Sequence, residues 1–213
     1  MHDLPPISGG WREEEIDLGN RRAKIVRPSS ADDLLDDPQV HQKHNADGYM
    51  PYWAYVWPTS QRMVSYFQDN PLPVGQRILE LGCGVGLVGL GLGLQGHPVI
   101  FTDYDDVSVK TSLVNAKLNN LTNYDGFPYD WREPLPRNDF DILVASDVLY
   151  EKRHHEPILR LLSESLTDGR LCYIGDPGRG LLSEFVDAAE KQFQVYLVEK
   201  YDRAVILEIS AKS

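Results

Sequence analysis

The sequence contains little that would support a metal site, a membrane anchor or a disulfide framework. It has only two cysteines, Cys83 and Cys172, and neither stands in a metal-ligand or redox pattern. No apolar run approaches the length of a membrane span, and none follows a basic N-terminus as in a signal peptide. We therefore expect no metal, no membrane contact, and two reduced thiols in the cytoplasm.

Basic residues are also scarce relative to acidic ones. The 213 residues include 21 Lys and Arg against 32 Asp and Glu, which gives a formal net charge of −11. A protein that binds nucleic acid through its phosphates needs the opposite balance, so we expect no nucleic-acid partner. The charge is compatible with basic protein partners, and it is also what an acidic, solvated surface without a specific partner would give.

Short buried strands alternate with helical segments from residue 78 onward. The clearest of these strands are predicted at 78–81, 99–102, 142–145 and 171–174, and a terminal hairpin at 193–198 and 204–209. This alternation predicts a doubly wound α/β sheet that ends in an antiparallel hairpin. A dehydrogenase with such a sheet would also need a substrate domain, and the chain has no residues left for one.

The first fifty residues differ in character from the rest. Apolar residues on either side of Gly19-Asn20 predict an N-terminal β-hairpin, and residues 29–44 are polar and acidic, as in a covering loop. We therefore divide the chain into an N-terminal extension, residues 1–50, and one larger domain, residues 51–213.

A glycine-rich turn, Glu80 to Gly86, follows the first strand of the larger domain. Glycine lets a backbone turn sharply and approach a ligand closely, and the next helix offers free N–H groups. Residues 84–89 fit the dinucleotide pattern G-x-G-x-x-G, with Asp103 at a suitable distance. Residues 80–86 also fit E-x-G-x-G-x-G, which resembles the first motif of class I S-adenosylmethionine (SAM) methyltransferases. The Glu80 carboxylate would repel a pyrophosphate but suits an ammonium and a sulfonium, so it favours SAM.

Further motifs make this resemblance specific. They are Pro51-Tyr52-Trp53-Ala54, Trp57-Pro58 with Gln61, Asp147-Val148-Leu149-Tyr150, and Gly175-Asp176-Pro177-Gly178-Arg179. Together with the glycine turn they resemble the family 16 seven-strand protein lysine methyltransferases, most closely the branch that modifies the electron-transfer-flavoprotein β subunit. The resemblance implies a class I fold with a mostly parallel, seven-stranded sheet and a C-terminal antiparallel hairpin. It also implies SAM as the cofactor and a protein lysine as the acceptor.

The resemblance assigns roles to individual residues. It implies that Asp147 and Tyr150 form a D-x-x-Y motif that holds the target lysine. Asp147 is given a positioning role rather than that of a base, because a carboxylate raises the pKa of a nearby lysine. The predicted cofactor contacts are Trp57, Glu80, Gly82, Cys83, Gly84, Gly86, Asp103, Tyr104, Asp130, Trp131 and Ser146.

Several of these residues also have a simpler interpretation. Asp103 can accept hydrogen bonds from two ribose hydroxyls, but aspartate is also common in turns. Asp130 and Trp131 lie where methyltransferases hold the adenine, although Trp131 fits a surface anchor equally well. By itself, the segment from Asp147 to Tyr150 also fits a helix cap followed by core residues.

Two other functions stay open at this point. One is methylation of a small-molecule amine, and the other is SAM binding without transferase activity. An enzyme that methylates nucleic-acid amines is less favoured, because Ser146-Asp147-Val148-Leu149 stands in place of N/D-P-P-Y/F. Adjacent residues His154 and His155 point in different directions on a helix, so we interpret them as solvated surface rather than as metal ligands. We expect the protein to act as a monomer.

Overall fold

The computed structural model describes residues 3–167, 169–202 and 204–212, so Met1 and His2 of the predicted extension lie outside it. The strands are β1 (Trp11–Asp17), β2 (Arg22–Pro28), β3 (Ile78–Leu81), β4 (Val99–Asp103), β5 (Tyr124–Pro128), β6 (Ile142–Ser146), β7 (Leu171–Asp176), β8 (Phe193–Tyr201) and β9 (Ala204–Ala211). The helices are α1 (Pro38–Asp47), α2 (Pro58–Asp69), α3 (Leu87–Gly93), α4 (Asp106–Leu118), α5 (His155–Ser165) and α6 (Gly180–Ala189).

Seven strands form the central sheet in the order β5-β4-β3-β6-β7-β9-β8. Strands β3 to β7 pair in parallel, whereas β9 is antiparallel to both of its neighbours. Every residue of β3 is buried, because helices cover both faces of the sheet. The chain leaves β3 toward β4 on one side and returns to β6 on the other, which creates a crevice at the carboxyl ends of the strands. The predicted doubly wound sheet with a terminal antiparallel hairpin is therefore confirmed.

The predicted N-terminal hairpin is also confirmed, and it packs against α4. Strands β1 and β2 form a separate antiparallel sheet. The amide of Asn115 on α4 accepts from the backbone N–H of Val26 at 2.7 Å and donates to the carbonyl of the same residue at 3.1 Å. This side chain therefore satisfies backbone groups at the outer edge of β2 that would otherwise be unpaired.

The segment predicted as a covering loop is largely helical. It contains a 3-10 helix, Asp32–Asp36, followed by α1. Asp37 caps α1 by accepting from the N–H of Gln39 at 2.8 Å, and Gly48 ends the helix with φ 74°. No residue of α1 is buried, so the helix lacks the apolar periodicity that would have revealed it. The division of the chain near residue 50 stays a prediction.

Helix α3 lies close to the sheet and to α2 because of its glycines. A Cβ atom at Gly89 would lie 2.8 Å from a methyl of Val99 on β4, and one at Gly91 would lie 2.7 Å from Val64 on α2. Side chains at these positions would push the helix away from both neighbours. Among the residues that the structure describes, no helix is long and apolar enough to cross a membrane.

Candidate active site

The carboxyl ends of β3, β4, β6 and β7 meet at one edge of the sheet, where a cleft of about 220 Å³ opens. The predicted site residues that line this cleft are Trp57, Glu80, Gly82, Cys83, Gly84, Asp103, Tyr104, Asp130, Trp131, Ser146, Asp147 and Tyr150. Gly86 is the one predicted site residue that is not part of the lining. These predicted site residues therefore converge on a single place in the fold, whereas no residue of the motif at 175–179 is part of the lining.

The glycine turn after β3 adopts a backbone conformation that other residues reach only with strain. Gly82, Gly84 and Gly86 have φ angles of 65°, 56° and 80°. A Cβ atom at Gly84 would lie 3.2 Å from the carbonyl oxygen of Trp53, in the segment that covers the turn. Gly86 instead faces α4, where a Cβ atom would lie 2.8 Å from the side chain of Ser112. Gly86 therefore contributes to the conformation of the turn on the side that packs against α4, and it does not face the cleft.

Glu80 on β3 is only 2% exposed, and its carboxyl group ties the strand to the next helix. Its Oε2 accepts from the backbone N–H of Gly89, in the first turn of α3, at 3.0 Å. Burial raises the pKa of Glu80 to about 8, although hydrogen bonds from Gly89 and Val88 act in the opposite direction. Glu80 is therefore both a helix cap and a carboxyl group whose ionisation responds to a cation in the cleft.

Asp103 ends β4 and fastens the glycine turn. Its Oδ2 accepts from the N–H of Gly84 at 2.9 Å, and its Oδ1 accepts from the N–H of Asp105 at 3.0 Å. Burial raises its pKa, and these two hydrogen bonds counteract that effect. The turn interpretation and the cofactor interpretation are thus compatible, because each carboxylate oxygen has a second lone pair available.

Tyr104, Asp130 and Trp131 lie together at the outer part of the cleft. The Asp130 carboxylate pairs with the guanidinium of Arg132 at 2.7 Å, and the hydrogen bonds from Arg132 outweigh burial and lower its pKa. The hydroxyl of Tyr104 donates to Asp47 at the end of α1, at 2.8 Å. The assignment of Asp130 and Trp131 to the adenine of the cofactor stays a prediction, as does the cofactor contact of Tyr104.

Asp147 follows β6 with a φ of 60°, a left-handed conformation that aspartate tolerates better than most residues. Its side chain is buried, and Ser146 and Thr59 donate hydroxyl hydrogen bonds to it at 2.7 Å and 3.1 Å. Arg179 lies beside the same carboxylate at 3.4 Å. Burial raises the pKa of Asp147, while these three donors act against that effect. Because the following 3-10 helix begins only at Lys152, Asp147 does not cap a helix, and that part of the alternative is wrong. Its other part is confirmed, because Val148 and Leu149 are buried in the core.

Aromatic rings surround the neighbourhood of Asp147. The ring of Tyr150 meets Tyr52 edge-on at 5.2 Å and His154 edge-on at 4.9 Å. Trp57 precedes α2, contacts the ring of Tyr52 at 6.1 Å, and donates its indole N–H to the Tyr52 carbonyl at 3.1 Å. Burial keeps the pKa of Tyr150 well above its usual range, so its hydroxyl stays protonated. Tyr52, Trp57 and Tyr150 line the same cleft as Asp147, so an ammonium ion bound there would have aromatic rings in its surroundings.

Sequence reasoning missed the polar contacts that hold α1 over the cleft. Asp105 is 4% exposed, accepts from the hydroxyl of Tyr49, and pairs with Lys43 of α1 at 3.1 Å. Its other oxygen caps α4 by accepting from the N–H of Val107 at 2.9 Å. The acidic run at 103–106 signalled a turn, but only the tertiary structure shows that it anchors the covering helix.

The interpretation of both histidines as solvated surface is wrong. His155 is 6% exposed and packs edge-on against Phe185 at 5.4 Å, whereas His154 is half-buried and lines the cleft. Within residues 3–167, 169–202 and 204–212, no group of three or more His, Cys, Asp or Glu side chains is arranged to hold a metal ion.

The strand order, the glycine turn after β3 and the acidic residue that ends β4 define the fold of the class I SAM-dependent methyltransferases. The 16S rRNA N2 G1207 methyltransferase of T. thermophilus, solved with AdoMet and guanosine, superposes with a TM-score of 0.69 at 18% identity. The alignment covers 98% of this chain and 52% of that one. This likeness confirms the predicted fold.

A family model described as "Lysine methyltransferase" matches residues 45–194, and the chain belongs to that family. The electron transfer flavoprotein beta subunit lysine methyltransferase of Mus musculus is 33% identical over 134 residues, which cover 61% of this chain and 51% of the relative. The protein of the same name from Danio rerio is 30% identical over 142 residues, with coverage of 61% and 51%. The chain thus spans about half the length of these relatives. The resemblance carried by the motifs is confirmed.

Proposed function

We propose that this protein transfers a methyl group from SAM to the side-chain nitrogen of a lysine in another protein. The observation that carries the proposal is the position of Asp147, a buried carboxylate at the carboxyl end of β6. It lines the same cleft as the glycine turn, and Tyr150 lies beside it in the lining. A carboxylate with an adjacent aromatic ring is suited to bind an alkylammonium group.

The residues on the β3 and β4 side of the cleft fit SAM; we call Glu80, Gly82, Gly84 and Asp103 the cofactor side. The glycines let the turn pack closely against the cleft wall, because a Cβ atom at Gly82 would lie 2.9 Å from Val148 and one at Gly84 would lie 3.2 Å from the Trp53 carbonyl oxygen. Burial raises the pKa values of the carboxyl groups of Glu80 and Asp103. A cationic ligand next to them would lower these pKa values and favour the ionised carboxylates. SAM supplies a methyl group already activated by its sulfonium.

The residues on the β6 and β7 side would position the acceptor; we call Asp147, Tyr150, Thr59 and Arg179 the acceptor side. Asp147 fixes the position of the lysine nitrogen, and the surrounding aromatic rings exclude water from it. No role as a base is assigned to Asp147. The proton of the lysine ammonium leaves to solvent before the nitrogen reacts.

The relatives support a protein as the acceptor rather than a free amine. Those from mouse and zebrafish are named as lysine methyltransferases of the electron transfer flavoprotein beta subunit. We propose that subunit as the first acceptor to test. The net charge of −11 favours an acceptor with a basic surface over a nucleic acid or an anionic membrane. We further propose a monomer that acts in the cytoplasm, in keeping with its two free, buried thiols.

The decisive experiment is to incubate the protein with methyl-labelled SAM and the purified electron-transfer-flavoprotein β subunit, and in parallel with a cell lysate. Mass spectrometry should find the label on a lysine side chain. The Asp147→Asn variant is the control, because it should bind SAM without labelling protein. Calorimetry with SAM, and light scattering for the mass in solution, complete the set.

Each other outcome identifies a different function. Label on a small amine with no labelled protein would favour the small-molecule enzyme. SAM binding without any transfer would favour a non-catalytic SAM-binding protein. Label that is absent from the flavoprotein subunit but present on another lysate protein would keep the reaction and replace the proposed acceptor.

A further inference from the structure

Arg179 is the positively charged member of the acceptor side, although the group to be bound there is itself a cation. It lies between β7 and α6, and its backbone N–H donates to the carboxylate of Asp176 at 2.9 Å, which fixes the main chain. Its side chain is 33% exposed and is not part of the cleft lining, but it reaches Asp147, whose Oδ1 lies 3.4 Å from Nη2. The guanidinium also lies over the ring of Trp57, 5.6 Å from its centroid. One cation thus contacts both the acceptor-binding carboxylate and the aromatic wall.

Other charged groups near the acceptor side do not neutralise Asp147. Asp176 is a second buried carboxylate. Its negative charge raises the pKa of Asp147, as burial does. Near Tyr150 the cleft is also lined by Glu151, Arg153 and His154, and the guanidinium of Arg153 pairs with Glu151 at 2.5 Å. Arg179 is therefore the cation that the described structure places on the Asp147 carboxylate.

Such a cation favours the deprotonation that the acceptor must undergo. An unpaired carboxylate stabilises a lysine ammonium, yet the nitrogen can react only after it has lost a proton and regained its lone pair. We propose that Arg179 remains paired with Asp147 during the reaction and offsets its charge, so that the acceptor lysine is held in place but readily becomes neutral. The ammonium releases one proton to solvent water, and no other group changes its charge. Arg179 is on this account a positioning residue, and the inference rests on the proposed lysine methylation.

The chain offers a matched control for Arg179. Strand β6 has an aspartate at each end, and each aspartate has an arginine partner. Asp141 precedes the strand and pairs with Arg77 at 2.8 Å, at the opposite edge of the sheet from the cleft. Arg179→Gln and Arg77→Gln therefore each remove one arginine from an arginine–aspartate pair, but only the first does so in the site. Arg179→Lys restores the charge.

Two measurements test the inference. The first is the titration of the Asp147 carboxyl group by NMR, identified by comparison with Asp147→Asn. In Arg179→Gln its pKa should rise by about one unit, and in Arg77→Gln it should not change. The second is the pH profile of kcat/KM with the flavoprotein β subunit as acceptor. In Arg179→Gln the pH profile should move to higher pH by a similar amount, while the affinity for SAM should stay the same. In Arg179→Lys the pH profile should return to that of the parent protein.

The inference would be overturned if the pKa of Asp147 were the same in Arg179→Gln as in the parent protein. It would also be overturned if Arg179→Gln kept the pH profile of the parent and differed from it only by a lower KM. The latter result would make Arg179 a group that the acceptor displaces. Failure of the parent protein to label any lysine is a different result, because it removes the proposed function. The carboxyl titration still decides whether Arg179 controls the charge of Asp147.

Discussion

The two sides of the cleft are constructed differently. The cofactor side is fixed by the main chain, through left-handed glycines and through carboxyl groups that accept from backbone N–H groups of the turn and of α3. The acceptor side is fixed by side chains from separate elements, because Thr59, Ser146 and Arg179 all converge on Asp147. Substitutions on the cofactor side should therefore affect folding and SAM affinity together. Substitutions on the acceptor side should affect methyl transfer alone.

The largest expected effect comes from Asp147→Asn. Loss of one partner from a buried charge pair costs about 3–5 kcal/mol, so methyl transfer should fall by about 100-fold to several thousand-fold. Asparagine tolerates the left-handed backbone at this position, so the melting temperature and the SAM affinity should change little. Rates of protein labelling, calorimetry with SAM and thermal unfolding of one preparation check this. A loss of SAM affinity that matched the loss of rate would break the distinction between the two sides.

Gly86→Ala tests the left-handed glycine turn that supports the cofactor side, although Gly86 itself is not part of the cleft lining. A left-handed φ costs a residue with a Cβ atom about 1–2 kcal/mol, and the overlap with Ser112 adds about 1–3 kcal/mol. Gly75 is a matched control, because it has the same φ of 80° but a Cβ atom there would meet nothing within 4 Å. Urea unfolding should therefore show a larger loss of stability for Gly86→Ala than for Gly75→Ala. Equal losses would mean that α3 can move away from α4.

Asp103→Ala should have a smaller effect, mainly on SAM binding. Removal of a charged hydrogen-bond acceptor costs roughly 1.5–3 kcal/mol, or about tenfold to a hundredfold in affinity. Because Asp103 also accepts from Gly84, some stability should be lost as well. Asp103→Asn retains an acceptor for that N–H group and should recover the stability but not the affinity. Unchanged affinity in both variants would make Asp103 a turn residue only.

The smallest expected effect is a pH dependence of stability that arises from Glu80. Its folded-state pKa is about 8, above the ordinary value of 4.5, so its contribution is complete below pH 4.5 and is lost as the pH rises toward 8. Without ligand, the free energy of unfolding should fall by about 1 kcal/mol per pH unit between about pH 5 and 7 because of this group. Glu80→Gln should remove that part of the slope, and saturating SAM should reduce it in the parent. If the free energy of unfolding fell with pH equally steeply in the parent and in Glu80→Gln, the pKa of Glu80 in the folded protein would be close to its ordinary value.

The sequence was sufficient to predict that the residues of the cofactor side lie together, because they are contiguous or follow directly from strand ends. Glu80 to Gly84 form one local motif, and Asp103 is found by its place after the next strand. Even so, the local pattern could not show that the Glu80 carboxyl caps α3, since that contact depends on how the helix packs. Nor could it show that Gly86 turns away from the cleft.

The acceptor side was predictable only in part. Asp147 and Tyr150 were found through the family motif, but the hydrogen bond from Thr59 and the ion pair with Arg179 join residues 88 and 32 positions apart. Helix α1 escaped prediction because it buries none of its residues. It is held by polar contacts such as those of Lys43 and Tyr49 with Asp105, and such contacts leave no periodic signal in a sequence.

The left-handed backbone at Asp147 has a consequence for how this scaffold can evolve. Few side chains accept a φ of 60°, and among them aspartate alone carries a negative charge at the right length. Glutamate is therefore a poor substitute, whereas asparagine is available through one base change in the codon and leaves the strand end intact. Under the proposed function, a gene duplicate of this protein would lose the ammonium-binding charge in a single step while it keeps its fold and its cleft. That makes residue 147 a natural branch point between amine acceptors and acceptors of other chemistry.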